Sequence, residues 1–190
     1  IANGPTSTLG NIAIAPGDIK YVDQPDADGK YDGKITRDDQ IPMGVTTPKL
    51  IYGFGPSVTY KNWDFSFFFQ GRGNVALVLS DIQPFGSSYR RGVLKFVADN
   101  RWSPNNQDPT AKFPRLTATS TYWLRNGRFL KLKNAEIGYS FKKVRVYANG
   151  TNLLTFSPFD LWDPEMGGGN YTSKYPTQIT VNVGCQITIN

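Results

Sequence analysis

Lys49–Gln70 reads KLIYGFGPSVTYKNWDFSFFFQ. In its first half the even positions are Leu50, Tyr52, Phe54, Pro56, Val58 and Tyr60, and the odd ones are Lys49, Ile51, Gly53, Gly55, Ser57 and Thr59. Side chains of a β-strand point alternately to its two faces, so one face here is apolar and aromatic and the other mostly small or polar. After Lys61 and Asn62 the alternation restarts, with Trp63, Phe65, Phe67 and Phe69 against Asp64, Ser66, Phe68 and Gln70. Two alternating runs separated by two residues predict a β-hairpin with a very tight turn.

The pattern returns twice downstream. In FLKLKNAEIGYSF (129–141), Ala135, Ile137, Tyr139 and Phe141 oppose Asn134, Glu136, Gly138 and Ser140. Lys142 and Lys143 mark a second tight turn, and Val144, Val146 and Ala148 then alternate with Arg145, Tyr147 and Asn149. The last stretch, ITVNVGCQITIN, sets Ile179, Val181, Val183, Cys185, Ile187 and Ile189 against Thr180, Asn182, Gly184, Gln186, Thr188 and Asn190. On these parities Glu136 and Arg145 share the polar face and are placed to pair across their hairpin.

A soluble β-sandwich also alternates, so the period alone does not choose a solvent. Three features favour a membrane wall. A strand of roughly ten residues at ~3.3 Å each, tilted by ~40°, covers the ~25 Å apolar belt of an outer membrane. Tyr60, Trp63, Tyr139 and Phe141 cluster beside the tight turns, as an interfacial girdle does. The opposite faces are too polar for a sandwich core. Connections also alternate: tight near 61 and 142, long from about 71 to 128 and from about 153 to 176. Outer-membrane barrels keep short turns in the periplasm and long loops outside. The predicted strands are 47–60 descending, 62–71 ascending, 129–141 descending, 143–152 ascending and 177–190 descending, with residues 1–46 as an extracellular loop segment and 47–190 as barrel strands and loops. Such a sheet has two open edges, so the expected fold is all-β, an incomplete portion of a large barrel.

Composition agrees. Of 190 residues, 14% are aromatic and only 19% charged, with 19 Gly and 13 Pro, a mixture of strands and irregular loops. A single cysteine, Cys185, excludes an internal disulfide. No apolar run approaches the ~18 to 20 residues of a spanning helix. The opening IANGPTSTLG lacks the basic and apolar regions of a signal peptide, so the chain reads as a processed or separated piece. Residues 1–46 carry four basic and seven acidic side chains, residues 71–133 eleven basic and three acidic. Contact of the basic stretch with nucleic acid or anionic lipopolysaccharide is weighed against a solvated loop whose charges meet acidic neighbours, and the second is preferred; no nucleic-acid partner is expected.

Several stretches, in order, resemble the C-terminal region of SusC/RagA-type TonB-dependent transporters of Bacteroidetes outer membranes. They are PGDIKYVD with its acidic loop, TPKLIYGFGPSVTYKNWDFSFFFQG, RWSPNNQDPTAKFPRL, YWLRNGRFLKLKNAEIGYSF, VRVYANGTNLLTF, WDPEMGGGNY and the last strand. The resemblance implies a barrel of about 22 strands around an N-terminal plug, a SusD-like surface lipoprotein as cap, energy from TonB, and oligosaccharide or peptide cargo. Plug, TonB box and most strands lie outside these residues, so this portion is expected to supply wall and external loops.

For chemistry the chain offers little. DADGKYDGKITRDD (26–39) approximates a calcium loop, with Asp28, Asp32 and Asp39 at ligand positions 1, 5 and 12 and Gly33 at 6, but Lys30 stands at position 3 and repels a cation. Calcium on Asp28, Asp32 and Asp39 is therefore weighed against an acidic surface turn. With no histidine, Ser-His and Cys-His catalysis is closed, and Asp163 and Glu165 in a Pro- and Gly-rich loop suit a turn better than a glycosidase pair; no enzyme is expected. Tyr122, Trp123, Phe159 and Trp162 in the long loops are candidates to stack on a sugar, to meet the lipoprotein, or to pack among themselves. The alternative to a transporter portion is a soluble β-rich carbohydrate-binding module, calcium-assisted.

Overall fold

The computed structural model describes residues 6–7, 15–79, 94–115, 120–168, 175 and 177–189. The chain divides into two compact units, one of residues 1–43 and 82–121, the other of residues 44–81 and 122–190.

The second unit is built on one antiparallel sheet. Its strands are β3 (Leu50–Phe54), β4 (Ser57–Tyr60), β5 (Trp63–Gly73), β8 (Phe129–Phe141), β9 (Val144–Phe156) and β10 (Thr180–Ile187), ordered β10-β9-β8-β5-β3, with β4 also on β5. β5 and β8 are adjacent although more than fifty residues separate them, so the wall runs unbroken past the long connection. Both expected turns form. Tyr60 pairs with Trp63 and Phe141 with Val144, leaving Lys61-Asn62 and Lys142-Lys143 as two-residue loops. Their first residues take positive φ (55° at Lys61, 52° at Lys142), which matches the right-handed strand twist.

The register gathers the apolar residues in rows. Val58, Phe65, Ile137, Ala148 and Val183 stand opposite one another in turn, and Tyr60, Trp63, Tyr139, Val146 and Cys185 form the next row. In the second row Trp63 meets the Tyr139 ring edge-on at 4.8 Å. This face is uncovered: Phe67 is 40% and Val183 83% exposed. Apolar side chains repeated over five strands and open to the surroundings are the reverse of a sandwich core.

Two irregularities were not expected. The first strand is broken at Gly55-Pro56 into β3 and β4, and Pro56 O accepts from Phe67 N at 3.3 Å. A Cβ at Gly55 would overlap the Phe67 carbonyl and lie 2.9 Å from Phe68 Cα, so only glycine lets the backbones approach this closely. The second is a β-bulge. Phe68 pairs with Asn134 but Phe69 with Leu132, so Lys133 is an extra residue on β8. The β9 side shifts at the same level, where Asn152 takes φ of 54°. Beyond the bulge the parity of β8 inverts: Leu132 now joins the apolar rows, while Lys131 and Phe129 turn to the other side.

At the loop end β6 (Ala76–Val78) pairs with β7 (Leu124–Asn126) as a separate two-stranded sheet. It carries a compact core of Val75, Leu77, Leu79, Trp123, Phe129, Phe159 and Met166, all buried. In the first unit, β1 (Thr6–Ser7) lies parallel to β2 (Lys34–Ile35), and Ile35, Val97 and Phe113 are buried. A short helix α1 (Lys95–Asp99) supplies Val97, and Arg115 clasps Asp18 at 2.9 and 2.6 Å. This unit joins the N-terminal segment to residues 82–121 rather than leaving it alone.

Gly55→Ala is expected to destabilise the sheet by about 1–3 kcal/mol through overpacking against backbone. Gly73→Ala is expected to be neutral within error, because a Cβ there meets only Leu50 at 3.5 Å. Thermal unfolding of the two variants in detergent reads the difference.

Candidate functional site

The polar face carries two charged clusters, one at each end of the wall. At the tight-turn end the central residue is Arg145 of β9. Its Nη2 donates to Glu136 Oε1 at 2.6 Å and its Nε to Asp64 Oδ2 at 3.0 Å, with a second short contact from Nη2 to Asp64 Oδ1. The expected Glu136–Arg145 pair thus forms, with Asp64 as a third member. The guanidinium lies flat because Gly138 sits beneath it; a Cβ there would come within 2.5 Å of Nη2 and of the Asp64 carboxylate. Asn149 Nδ2 donates to Glu136 Oε2 at 3.2 Å and Asn182 Nδ2 to Asn149 Oδ1 at 3.1 Å, extending the network over β5, β8, β9 and β10. The Arg145 guanidinium also rests 5.1 Å from the Tyr147 ring centroid. All this arrangement does chemically is bind strand to strand, since each charged group is spent on another.

The cluster at the loop end was not read from the sequence. Lys131 is 1% exposed. Its ammonium donates to Asp163 Oδ2 at 2.5 Å, Glu165 Oε2 at 2.7 Å and Thr177 Oγ1 at 3.0 Å, which uses all three protons. Lys133, the bulge residue, donates to both oxygens of Glu165 at 3.0 and 3.1 Å. Burial pushes the Glu165 carboxyl up, but the hydrogen bonds from Lys131 and Lys133 outweigh it and hold the group below its ordinary value. Arg72 donates to the Pro164 carbonyl and, through Nε, to Gly127 O at 3.3 Å, with its guanidinium 5.0 Å from the Phe129 centroid. The signal was available: Leu130 and Leu132 are even whereas Ala135 and Ile137 are odd, so the alternation has to slip between them.

The acidic turn behaves differently from the calcium-loop expectation. Asp39 Oδ1 accepts from Gln24 N at 2.7 Å and Oδ2 from Thr36 N at 2.6 Å. Asp32 Oδ1 accepts from Lys34 N at 2.8 Å, and Asp28 itself donates its N–H to Asp26 Oδ1 at 2.9 Å. The carboxylates of Asp32 and Asp39 close turns, and among the described residues no three acidic, histidine or cysteine side chains are grouped to hold a metal. Backbone hydrogen bonds from Gln24 and Thr36 lower the Asp39 pKa.

The loop aromatics are mostly packed, not presented. Trp123 is 2% and Phe159 5% exposed. Tyr122 lies edge-on to Trp123 at 5.1 Å, and Phe159 edge-on to Trp162 at 4.9 Å, with Trp162 Nε1 donating to Gly167 O at 2.8 Å. Of the four candidates, Tyr122 is the exposed one. Of the three uses weighed for these rings, Trp123 and Phe159 take the packing one, because β6-β7 provides a core that loop residues can fill.

A sheet with an uncovered apolar face, a polar face zipped by charge and tight turns at one end has close counterparts among known proteins. No protein-family model matches the chain. It is, however, 32% identical over 90% of its length to a TonB-dependent receptor of Formosa agariphila. Over most of its length the chain is a homologue of part of the TonB-dependent receptors. A second receptor of the same organism is 30% identical over 84% of the chain, and the TonB-dependent receptor SusC of Bacteroides thetaiotaomicron 23% over 88%. The chain spans about a fifth of these relatives, 20%, 16% and 18% of their lengths in turn. Among solved structures it superposes on the RagAB peptide importer in its open-open state with a TM-score of 0.63 and 22% identity, over 88% of this chain and 20% of that one. The closed-closed state of RagAB gives 0.63 and 23%, over 86% and 20%. That likeness is one of fold: the sheet is a section of a β-barrel wall.

Two outcomes are expected. Arg145→Gln lowers the thermal midpoint more than Asp64→Asn or Glu136→Gln, because it alone leaves two carboxylates facing each other. The Asp39 turn behaves as a depressed carboxyl requires: its stabilisation is complete above the ordinary value of 3.8 and is lost as pH falls through the lower folded value. Protection of the amides over residues 24–38, taken relative to their intrinsic exchange rates, should therefore fall in acid, and Asp39→Asn should abolish that acid dependence.

Proposed function

We propose that this chain forms wall and outer loops of a TonB-dependent outer-membrane importer that takes up oligosaccharides or peptides with a SusD-like lipoprotein. The observation that carries the reading is the uncovered apolar face on a sheet whose other face is polar and ion-paired, in a chain related over most of its length to TonB-dependent receptors. Lipid covers the first face and a water-filled lumen meets the second. The tight turns at Lys61 and Lys142 point to the periplasm, and the opposite end of the sheet faces outward. The sheet ends on β10 at one side and on β3 and β4 at the other, with no further partner strand among the described residues. In hydrocarbon each open backbone group costs several kcal/mol, so more strands complete the wall. The names SusC and RagAB among the relatives support the lipoprotein partner and an oligomeric nutrient as cargo.

Phe67→Arg or Ile137→Arg should cost about 2–4 kcal/mol near the midplane and sharply reduce the amount assembled in membranes. Lumen-side Ser66→Arg should be far milder. In mild detergent the protein should be recovered with a plug, the rest of the barrel and a lipoprotein, and uptake should collapse in cells lacking TonB. A chain that stays dispersed and monomeric without detergent would favour the soluble module instead.

A further inference from the structure

The connection from β9 to β10 leaves the sheet at Phe156 and returns at Thr180. Its first dozen residues fold back over the polar face. Asp163 closes a 3-10 turn, its Oδ1 accepting from Glu165 N at 3.0 Å, and its other oxygen takes Lys131 and contacts Thr177. Pro164 and Met166 are buried, and Gly168 lies against the backbone of Val78 so closely that a Cβ would fall 2.7 Å from its nitrogen. Three cations from the wall, Arg72, Lys131 and Lys133, reach this one turn.

Burial decides how such a cluster behaves. An ammonium that is 1% exposed, with each proton held by an oxygen, has replaced its hydration shell by fixed partners. Lifting the turn away would strand that charge against the wall, and losing one partner of a buried ion pair is far more costly than the pair is stabilising. The β-bulge aims the pair, since without it Lys131 and Lys133 would share the outward parity of Ala135 and Ile137.

We propose that residues 157–168 form a fixed strap, clamped to the lumen-side wall by Lys131 as positioning residue. The strap narrows the loop end of the lumen permanently and does not swing as a lid. The assignment stands on the clamp geometry and is independent of which cargo passes.

Hydrogen exchange of the protein extracted in mild detergent tests it. In the unaltered protein, amides of 158–168 should exchange within about tenfold of those in the β8-β9 hairpin. Lys131→Met should speed the strap at least tenfold and leave residues 144–150 unchanged. Asp163→Asn keeps an acceptor for Glu165 N but loses the charge, so it should loosen the strap in the same direction, and it decides the matter if Lys131→Met fails to assemble. Raising salt from ~0.1 M to ~1 M should change nothing, because buried pairs are little screened. A strap that exchanges as fast as the exposed 26–33 turn, that ignores both substitutions, or that loosens in salt overturns the proposal.

Discussion

The constraint on which this structure rests is that every backbone polar group of a wall in hydrocarbon has to be paired within the sheet. It explains why the turns at Lys61 and Lys142 accept positive φ to stay two residues long. It explains the glycine at 55, where β3 gives way to β4 and the chain must still keep Pro56 O within reach of Phe67 N. It also explains why β5 and β8, far apart in sequence, pair over ten positions, since the intervening residues have to leave the wall and return beside the strand they left.

Once the ladder is fixed, side-chain parity follows, and the bulge at Lys133 is the place where parity is rewritten. On one side of it the polar face holds Asp64 and Glu136 around a single arginine, with Asn149 and Asn182 extending the network. On the other side the same face holds Lys131 with two carboxylates from a loop. The inserted residue thus separates two functions of the wall: strand cohesion at the tight-turn end and attachment of an outer connection at the loop end.

Burial reassigns residues that look alike in sequence. Trp123 and Phe159 seem as available as Tyr122, yet they fill the core under β6-β7. Asp28, Asp32 and Asp39 have the spacing of ligands, yet each is engaged in closing a turn, directly or through its own N–H. Asp163 and Glu165, set aside as turn formers, do form a turn and also neutralise a buried lysine.

Residue order by itself determined the strands, both tight turns, the two faces and the Glu136–Arg145 pair, because period-two alternation and a two-residue loop are local consequences of backbone geometry. The stretch KNWDF carried its turn and both flanking parities without any help from the rest of the chain. Only the tertiary structure decided that β5 neighbours β8, that Gly55 breaks the first strand, and that Lys131 and Lys133 meet Asp163 and Glu165 some thirty residues away. Those outcomes depend on which backbones lie side by side and on which charges lose their water together, and both are properties of distant segments brought into contact.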